Sequence, residues 1–166
     1  MTRVLVIGYG NPSRQDDGVG LAVVNGLRMR AGQAPLDEGD DGFNDLGRRL
    51  DTLFLQQLSP ELVETLAEYD QVVLVDAHFG IYPELVHHSR LEPQVEPAIV
   101  SHHFTPGTLL SLARQLYGRA PSAELISVRG YAFDFTTELS PATATGVGQV
   151  IEELAARFTD AGLTTS

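Results

Sequence analysis

The chain has 166 residues, of which 43% are hydrophobic, and 22 acidic side chains against 11 basic ones give a formal net charge of −11 at pH 7. That size suits one domain with a sizeable core, so a single α/β domain is expected over residues 1–166. The charge argues against a nucleic-acid partner, which needs a cationic footprint, and with no cysteine any metal must be held by His, Asp, Glu or backbone oxygen.

The chain opens on a short apolar run, Val4-Leu5-Val6-Ile7, which reads as a strand buried on both faces. Because that strand begins by Arg3, no signal peptide is expected. No apolar run approaches the ~18 residues of a membrane span. A cytoplasmic protein without a membrane partner is the expectation, and a monomer is expected.

After the strand comes Gly8-Tyr9-Gly10-Asn11-Pro12-Ser13-Arg14-Gln15-Asp16-Asp17-Gly18-Val19-Gly20, a glycine-rich turn leading into a helix. A dinucleotide turn needs a third glycine three residues after the second, and Ser13 stands there. Asp16 and Asp17 would also repel a phosphate from the helix N-terminus. The Walker pattern fails as well, because the chain contains no lysine. A turn that puts acids where phosphate binders put amides is better suited to a cation.

The helix runs from Gly18 to about Arg30, with Leu21, Val24 and Arg28 on one side and Val23 and Leu27 on another; Gly32 and Pro35 end it. The acidic stretch Asp37-Glu38-Gly39-Asp40-Asp41-Gly42 lacks the calcium-loop spacing and reads as a solvated loop. Thr52–Leu55 is a second strand. Ser59-Pro60-Glu61 has the form of a helix start, with serine at the cap and proline at the first helical position. Val72–Val75 is the strongest buried strand, and it ends on Asp76.

Glu84–Leu91, flanked by Pro83 and Pro93, reads as an edge strand. Thr105-Pro106 starts a helix with Leu109, Leu112, Ala113 and Leu116 along one side. Leu125–Val128 is a further strand. Ser140-Pro141 starts the last helix, whose stripe is Val147, Val150, Ile151, Leu154, Ala155 and Phe158.

Strands and helices thus alternate. The expected fold is a three-layer α/β sandwich, a mostly parallel twisted sheet with helices on both faces and one antiparallel edge strand. Sites in such sheets form outside the carboxyl ends of the strands, where strand order reverses. Asp16 and Asp17 follow the first strand and Asp76 ends the third, which puts them on that one edge. Each acid also has a plain structural reading, as a cap at a strand exit or a helix start.

The histidines are His78, His87-His88 and His102-His103. His87 and His88 point to opposite faces of an edge strand, so they cannot both serve one site, and solvent exposure is expected. His102 and His103 precede a helix on the loop-rich side. An imidazole joining Asp17 and Asp76 would complete a three-ligand site suited to a borderline divalent metal.

Gly8-x-Gly10-Asn11 with Asp16-Asp17-Gly18-x-Gly20 resembles the N-terminal motif of the hydrogenase maturation endopeptidases. These enzymes clip a C-terminal extension from the nickel-containing large subunit of nickel–iron hydrogenases. Val75-Asp76-Ala77 resembles the family's second motif and Ser101-His102-His103 its third. The order, the spacing and the α/β alternation match over nearly the whole chain.

The resemblance implies a metal-dependent endopeptidase with ligands at Asp17, Asp76 and His103, where His103 rather than His102 falls two after the serine. It implies nickel, supplied by the substrate precursor, as the metal. The implied partner is the large-subunit precursor of a nickel–iron hydrogenase. Gln56–Leu62 looks more like the branch serving bidirectional, NAD-linked hydrogenases. Asp16 is the weakest candidate, as a general base, and the glycines of the first motif are read as clearance for the incoming protein tail. The alternative from another class is a non-catalytic α/β module that binds a nucleotide or metal.

Overall fold

The computed structural model describes residues 2–93 and 105–163. Among these, five strands form one sheet: β1 (Val4–Tyr9), β2 (Leu50–Leu55), β3 (Gln71–His78), β4 (Val86–Leu91) and β5 (Ser122–Arg129), in the spatial order β2-β1-β3-β5-β4. The pairs β1–β2, β1–β3 and β3–β5 are parallel, and β4 lies antiparallel against β5 at the edge. The α/β sandwich with one antiparallel edge strand is therefore the fold adopted.

The sheet alternates its apolar residues between two cores, as the two-residue period of a strand requires. On one face Val4, Val6, Val73, Val75, Ile126 and Val128 pack against α1 (Val19–Arg30) and α4 (Pro141–Arg157). On the other, Leu5, Ile7, Leu53, Val72 and Leu74 pack against α2 (Leu62–Leu66) and α3 (Pro106–Tyr117). Each fully buried aliphatic side chain contributes about 1.5–3 kcal/mol, which makes the two central strands the most strongly fixed part of the molecule. Among the described residues no helix is long and apolar enough to cross a membrane.

Both expected sides of α1 are occupied. Val23 and Leu27 enter the core shared with α4, whereas Leu21 and Val24 meet Leu36 and Phe54. Arg28 is buried on that second side because each of its guanidinium nitrogens has a partner: it donates to the Ala34 carbonyl (2.8 Å), to Thr52 Oγ1 (3.5 Å) and to Asp45 (2.7 Å).

Four local expectations are revised. The helix after Pro60 begins only at Leu62 and has no side-chain cap; the Ser59 carbonyl, not its hydroxyl, takes the first bond, from the Leu62 amide. In α3 Leu110 is buried, whereas Leu116 faces solvent, so the stripe is Leu109, Leu110 and Ala113. β3 does not stop at Asp76 but pairs with β5 as far as His78. His87 is half-buried, stacked on Tyr82 at 3.6 Å, while His88 is exposed and meets Glu153 at 2.8 Å.

Candidate functional site

Strand order reverses between β1 and β3: from β1 the chain moves first to β2 on one side, then returns to β3 on the other. The crevice beyond the carboxyl ends of those two strands is where open α/β sheets place their ligands. Tyr9 ends β1 there, and Asp76 lies in the last third of β3.

The turn after β1 depends on close backbone contact. A Cβ on Gly8 would stand 2.2 Å from the Gly20 carbonyl oxygen, and one on Gly20 would stand 2.5 Å from the Tyr9 amide nitrogen. The glycines thus let the start of α1 lie directly on β1. The expected clearance for a protein tail is replaced by helix-on-strand packing. Gly10, at φ +134°, turns the chain beneath the Asp17 carbonyl.

Residues Pro12–Gly18 then form tight 3-10 turns broken at Gln15, which has φ 52° and ψ −107°. That conformation is costly for a residue with a side chain. It is held from outside: the Gln15 amide donates to the Thr136 carbonyl (2.8 Å), and Gln15 Oε1 accepts from the Asp134 amide (3.2 Å).

The kink sends the two adjacent acids in different directions. Asp16 is fully buried and accepts from the amides of Tyr131 (2.7 Å), Ala132 (3.0 Å) and Ser140 (2.8 Å) and from the hydroxyls of Ser140 (2.6 Å) and Thr143 (2.9 Å). Burial raises its pKa, but the bonds from Ser140, Tyr131 and Ala132 outweigh that and hold it below the usual aspartate range. A carboxylate so saturated is a poor proton acceptor, so the general-base reading of Asp16 gives way to a structural one. Neither acid caps α1, whose cap position is Gly18. Ser140 does occupy the cap position of α4, but its hydroxyl serves Asp16 and Thr143 instead.

Asp17 faces the other way. Its Oδ2 accepts from the Asn11 amide (2.7 Å), and among the described residues Oδ1 accepts no hydrogen bond. Asp76 accepts from the Tyr9 hydroxyl on Oδ2 (2.9 Å) and from the Ser127 hydroxyl on Oδ1 (2.7 Å). Burial pushes the Asp76 pKa up; the two hydroxyls lower it in part, and the charge of Asp17 raises it again. Both carboxylates thus lie on the carboxyl side of the sheet, Asp17 in the turn after β1 and Asp76 near the end of β3. Burial beside Asp76 also raises the Tyr9 pKa, so the phenol stays protonated and remains a donor.

Each carboxylate keeps unused lone pairs, a donor set of hard oxygens open to a cation. Among the described residues no three His, Asp or Glu side chains are grouped closely enough to hold a metal ion. Ser101, His102 and His103 lie outside the described residues. His78 is buried with both ring nitrogens engaged, by the Gly80 amide and the Glu84 carbonyl, and burial lowers its pKa, which makes it a neutral structural histidine. A cavity of about 490 Å³ opens beside the acidic loop, lined by Asp37, Asp41, Leu21 and Phe54, but neither Asp17 nor Asp76 lines it.

Sequence reasoning missed Tyr9, Ser127 and Asn11. Tyr9 and Ser127 carried a weak signal, as polar groups at the carboxyl ends of strands on either side of Asp76.

Two carboxylates at the switch point of a five-stranded mixed sheet sit in the fold of the hydrogenase maturation endopeptidases. The structure is similar to the hydrogenase maturating endopeptidase HybD from E. coli, at 20% identity over 97% of this chain and 94% of that one, with a TM-score of 0.68. It is similar also to the [NiFe] hydrogenase maturation protease HycI from Thermococcus kodakarensis, at 21% identity over 95% and 93%, TM-score 0.64. A hydrogenase 2 maturation peptidase from a Thaumarchaeota archaeon gives 20% identity over 93% and 97%, TM-score 0.60. No protein-family model and no curated protein matches the sequence. Likeness at a fifth identity is likeness of fold.

Proposed function

We propose that this protein is an endopeptidase that removes a C-terminal extension from the nickel-loaded large-subunit precursor of a nickel–iron hydrogenase. The observation that carries the reading is the placement of Asp17 and Asp76 at the switch point, in a fold shared with hydrogenase maturation proteases. In this reading Asp17, Asp76 and His103 grip the nickel that the precursor brings as cargo. Carboxylate and imidazole donors suit such a borderline divalent ion.

The chain's own residues do the positioning. Tyr9 and Ser127 fix the rotation of Asp76, as outer-shell partners fix metal ligands. The Asn11 amide fixes Asp17 and leaves one oxygen for the cargo. Gripping the metal holds the adjacent peptide at the sheet edge, so an unloaded precursor is not presented for cleavage. The enzyme acts as a cytoplasmic monomer.

The test mixes purified protein with nickel-loaded and nickel-free precursor and follows the large subunit by mass spectrometry. Loss of a short C-terminal peptide from the loaded form alone is the expected result. An intact loaded precursor, or tight nucleotide binding without cleavage, overturns the reading. If folded Asp76→Ala and His103→Ala variants process at the wild-type rate, the ligand assignment is wrong.

A further inference from the structure

In this acidic chain arginines find carboxylates readily. Among the described residues Arg3, Arg28, Arg30, Arg49, Arg90, Arg119 and Arg157 each pair with one. Four arginines pair with no acid among the described residues. Arg48 turns to the Ala31 carbonyl, and Arg114 lies on the exposed side of α3. The other two, Arg14 and Arg129, stand at the carboxyl edge of the sheet, beside the candidate site.

Arg129 is placed there by register. It pairs with His78 two residues beyond Ser127, whose hydroxyl holds Asp76, so its Cα lies roughly 7 Å further along the strand, toward the carboxyl end. Arg14 is three residues before Asp17. Each guanidinium lies over an aromatic ring of the 130–140 segment: Arg129 over Tyr131 at 4.8 Å, and Arg14 over Phe135 at 4.7 Å. Asp134 and Glu138 are on that same segment, and no ion pair joins either of them to Arg14 or Arg129 among the described residues. Arg129 Nε, like Arg49 Nε, is buried with no hydrogen-bond partner among the described residues, so a docked carboxylate meets the terminal nitrogens of Arg129.

The same edge exposes large apolar side chains. Phe135 is 85% exposed, Ile81 75% and Phe79 70%. Exposed apolar side chains near unpaired charge are the composition that protein-docking sites favour. A guanidinium already stacked on a ring is preorganised, so it loses little freedom when it takes a carboxylate.

We propose that Arg14 and Arg129, with Tyr131, Phe135, Phe79 and Ile81, form the surface on which the precursor protein docks, and that they take a segment bearing a carboxylate beside an apolar side chain. The carboxylate on that segment follows from charge: among the described residues these two cations beside the crevice pair with no acid, in a chain of net charge −11, and the precursor as its bearer follows from the proposed reaction. The inference rests on the proposed endopeptidase reading and adds the chemistry of the substrate surface to it. Docking here leaves nickel recognition to the carboxylates and gives the arginines the protein around it.

The test compares wild type with Arg129→Gln, Arg14→Gln, the double variant and Arg129→Lys. Processing of nickel-loaded precursor gives kcat and KM at low and high salt. Biolayer interferometry gives affinity for nickel-free precursor, which the endopeptidase reading leaves uncut. Arg129→Gln is expected to raise KM and weaken affinity ~10-fold with a smaller change in kcat, and to flatten the salt dependence. Arg129→Lys should recover part of the loss, and matching thermal melts show that the fold is intact.

Wild-type KM and affinity in the folded double variant overturn the docking proposal while leaving the endopeptidase reading standing. If wild type does not cut loaded precursor, the endopeptidase reading falls, and arginine-dependent affinity still supports docking. Absence of any precursor binding by wild type overturns both.

Discussion

Asp16 and Asp17 are neighbours in sequence and opposites in environment. Five donors converge on Asp16, while among the described residues Asp17 takes one and keeps an oxygen open. Asp76 is a third case, a half-buried acid whose ionised form is disfavoured by burial and by its neighbour's charge. An acid held at such a cost fits the ligand role proposed for it, because its surroundings on balance gain no stability from its charge. Asparagine at position 76 removes the repulsion and still accepts from Ser127, and its amide can donate to the Tyr9 oxygen. Asp76→Asn is therefore expected to melt no lower than wild type at pH 7 and yet to lose processing of nickel-loaded precursor by at least ~100-fold. A variant that is destabilised but still active would make Asp76 a structural residue.

The turn between β1 and α1 sets where Asp17 stands, and its two facing glycines set the turn. A methyl at Gly20 would lie 2.5 Å from the Tyr9 amide nitrogen and 2.9 Å from the Gly8 carbonyl carbon, both rigid backbone, so α1 must move off the strand. Gly20→Ala is expected to cost about 2–3 kcal/mol, roughly 5–10 °C in Tm, because backbone contact leaves no flexible side chain to yield. A calorimetric scan within 2 °C of wild type, a shift of less than about 1 kcal/mol, would show that the helix start has room. The elements themselves were legible: aliphatic runs gave the strands, Thr105-Pro106 gave the start of α3, and the stripe of α4 gave its buried face. The position of both acids at the carboxyl edge was legible too, Asp17 in the turn after β1 and Asp76 near the end of β3. What resisted reading was long-range: the donors to Asp16 lie 115 to 127 residues away, in the irregular segment after β5 and at the start of α4. Leu116 was misread because helical spacing cannot tell which side of a short stripe runs out of core to cover.

At the scale of the whole molecule, Asp16 ties the 130–140 segment and the start of α4 to the turn after β1, joining the first and last parts of the sandwich. Its pKa is depressed in the folded protein, so its contribution to stability is fully present above the ordinary aspartate value of about 3.9 and is lost as pH falls through the folded value. Asp76 has the opposite sign. Its folded pKa is raised, so the folded protein binds its proton more readily, and stability increases as pH falls from neutrality through that raised value. Partial neutralisation of a net charge of −11 acts in the same direction by relieving self-repulsion. The metal-free protein is thus expected to be most stable in mild acid, with a steep fall below about pH 4. Two variants separate the causes. Asp16→Asn leaves buried donors unmatched, and should lose roughly 3 kcal/mol at pH 7 and flatten the steep acid limb. Asp76→Asn should leave that limb in place and reduce the gain between neutrality and the optimum. Urea titrations across pH 3–8 measure both, and an acid limb unchanged in Asp16→Asn would remove Asp16 as the joint between the two ends of the fold.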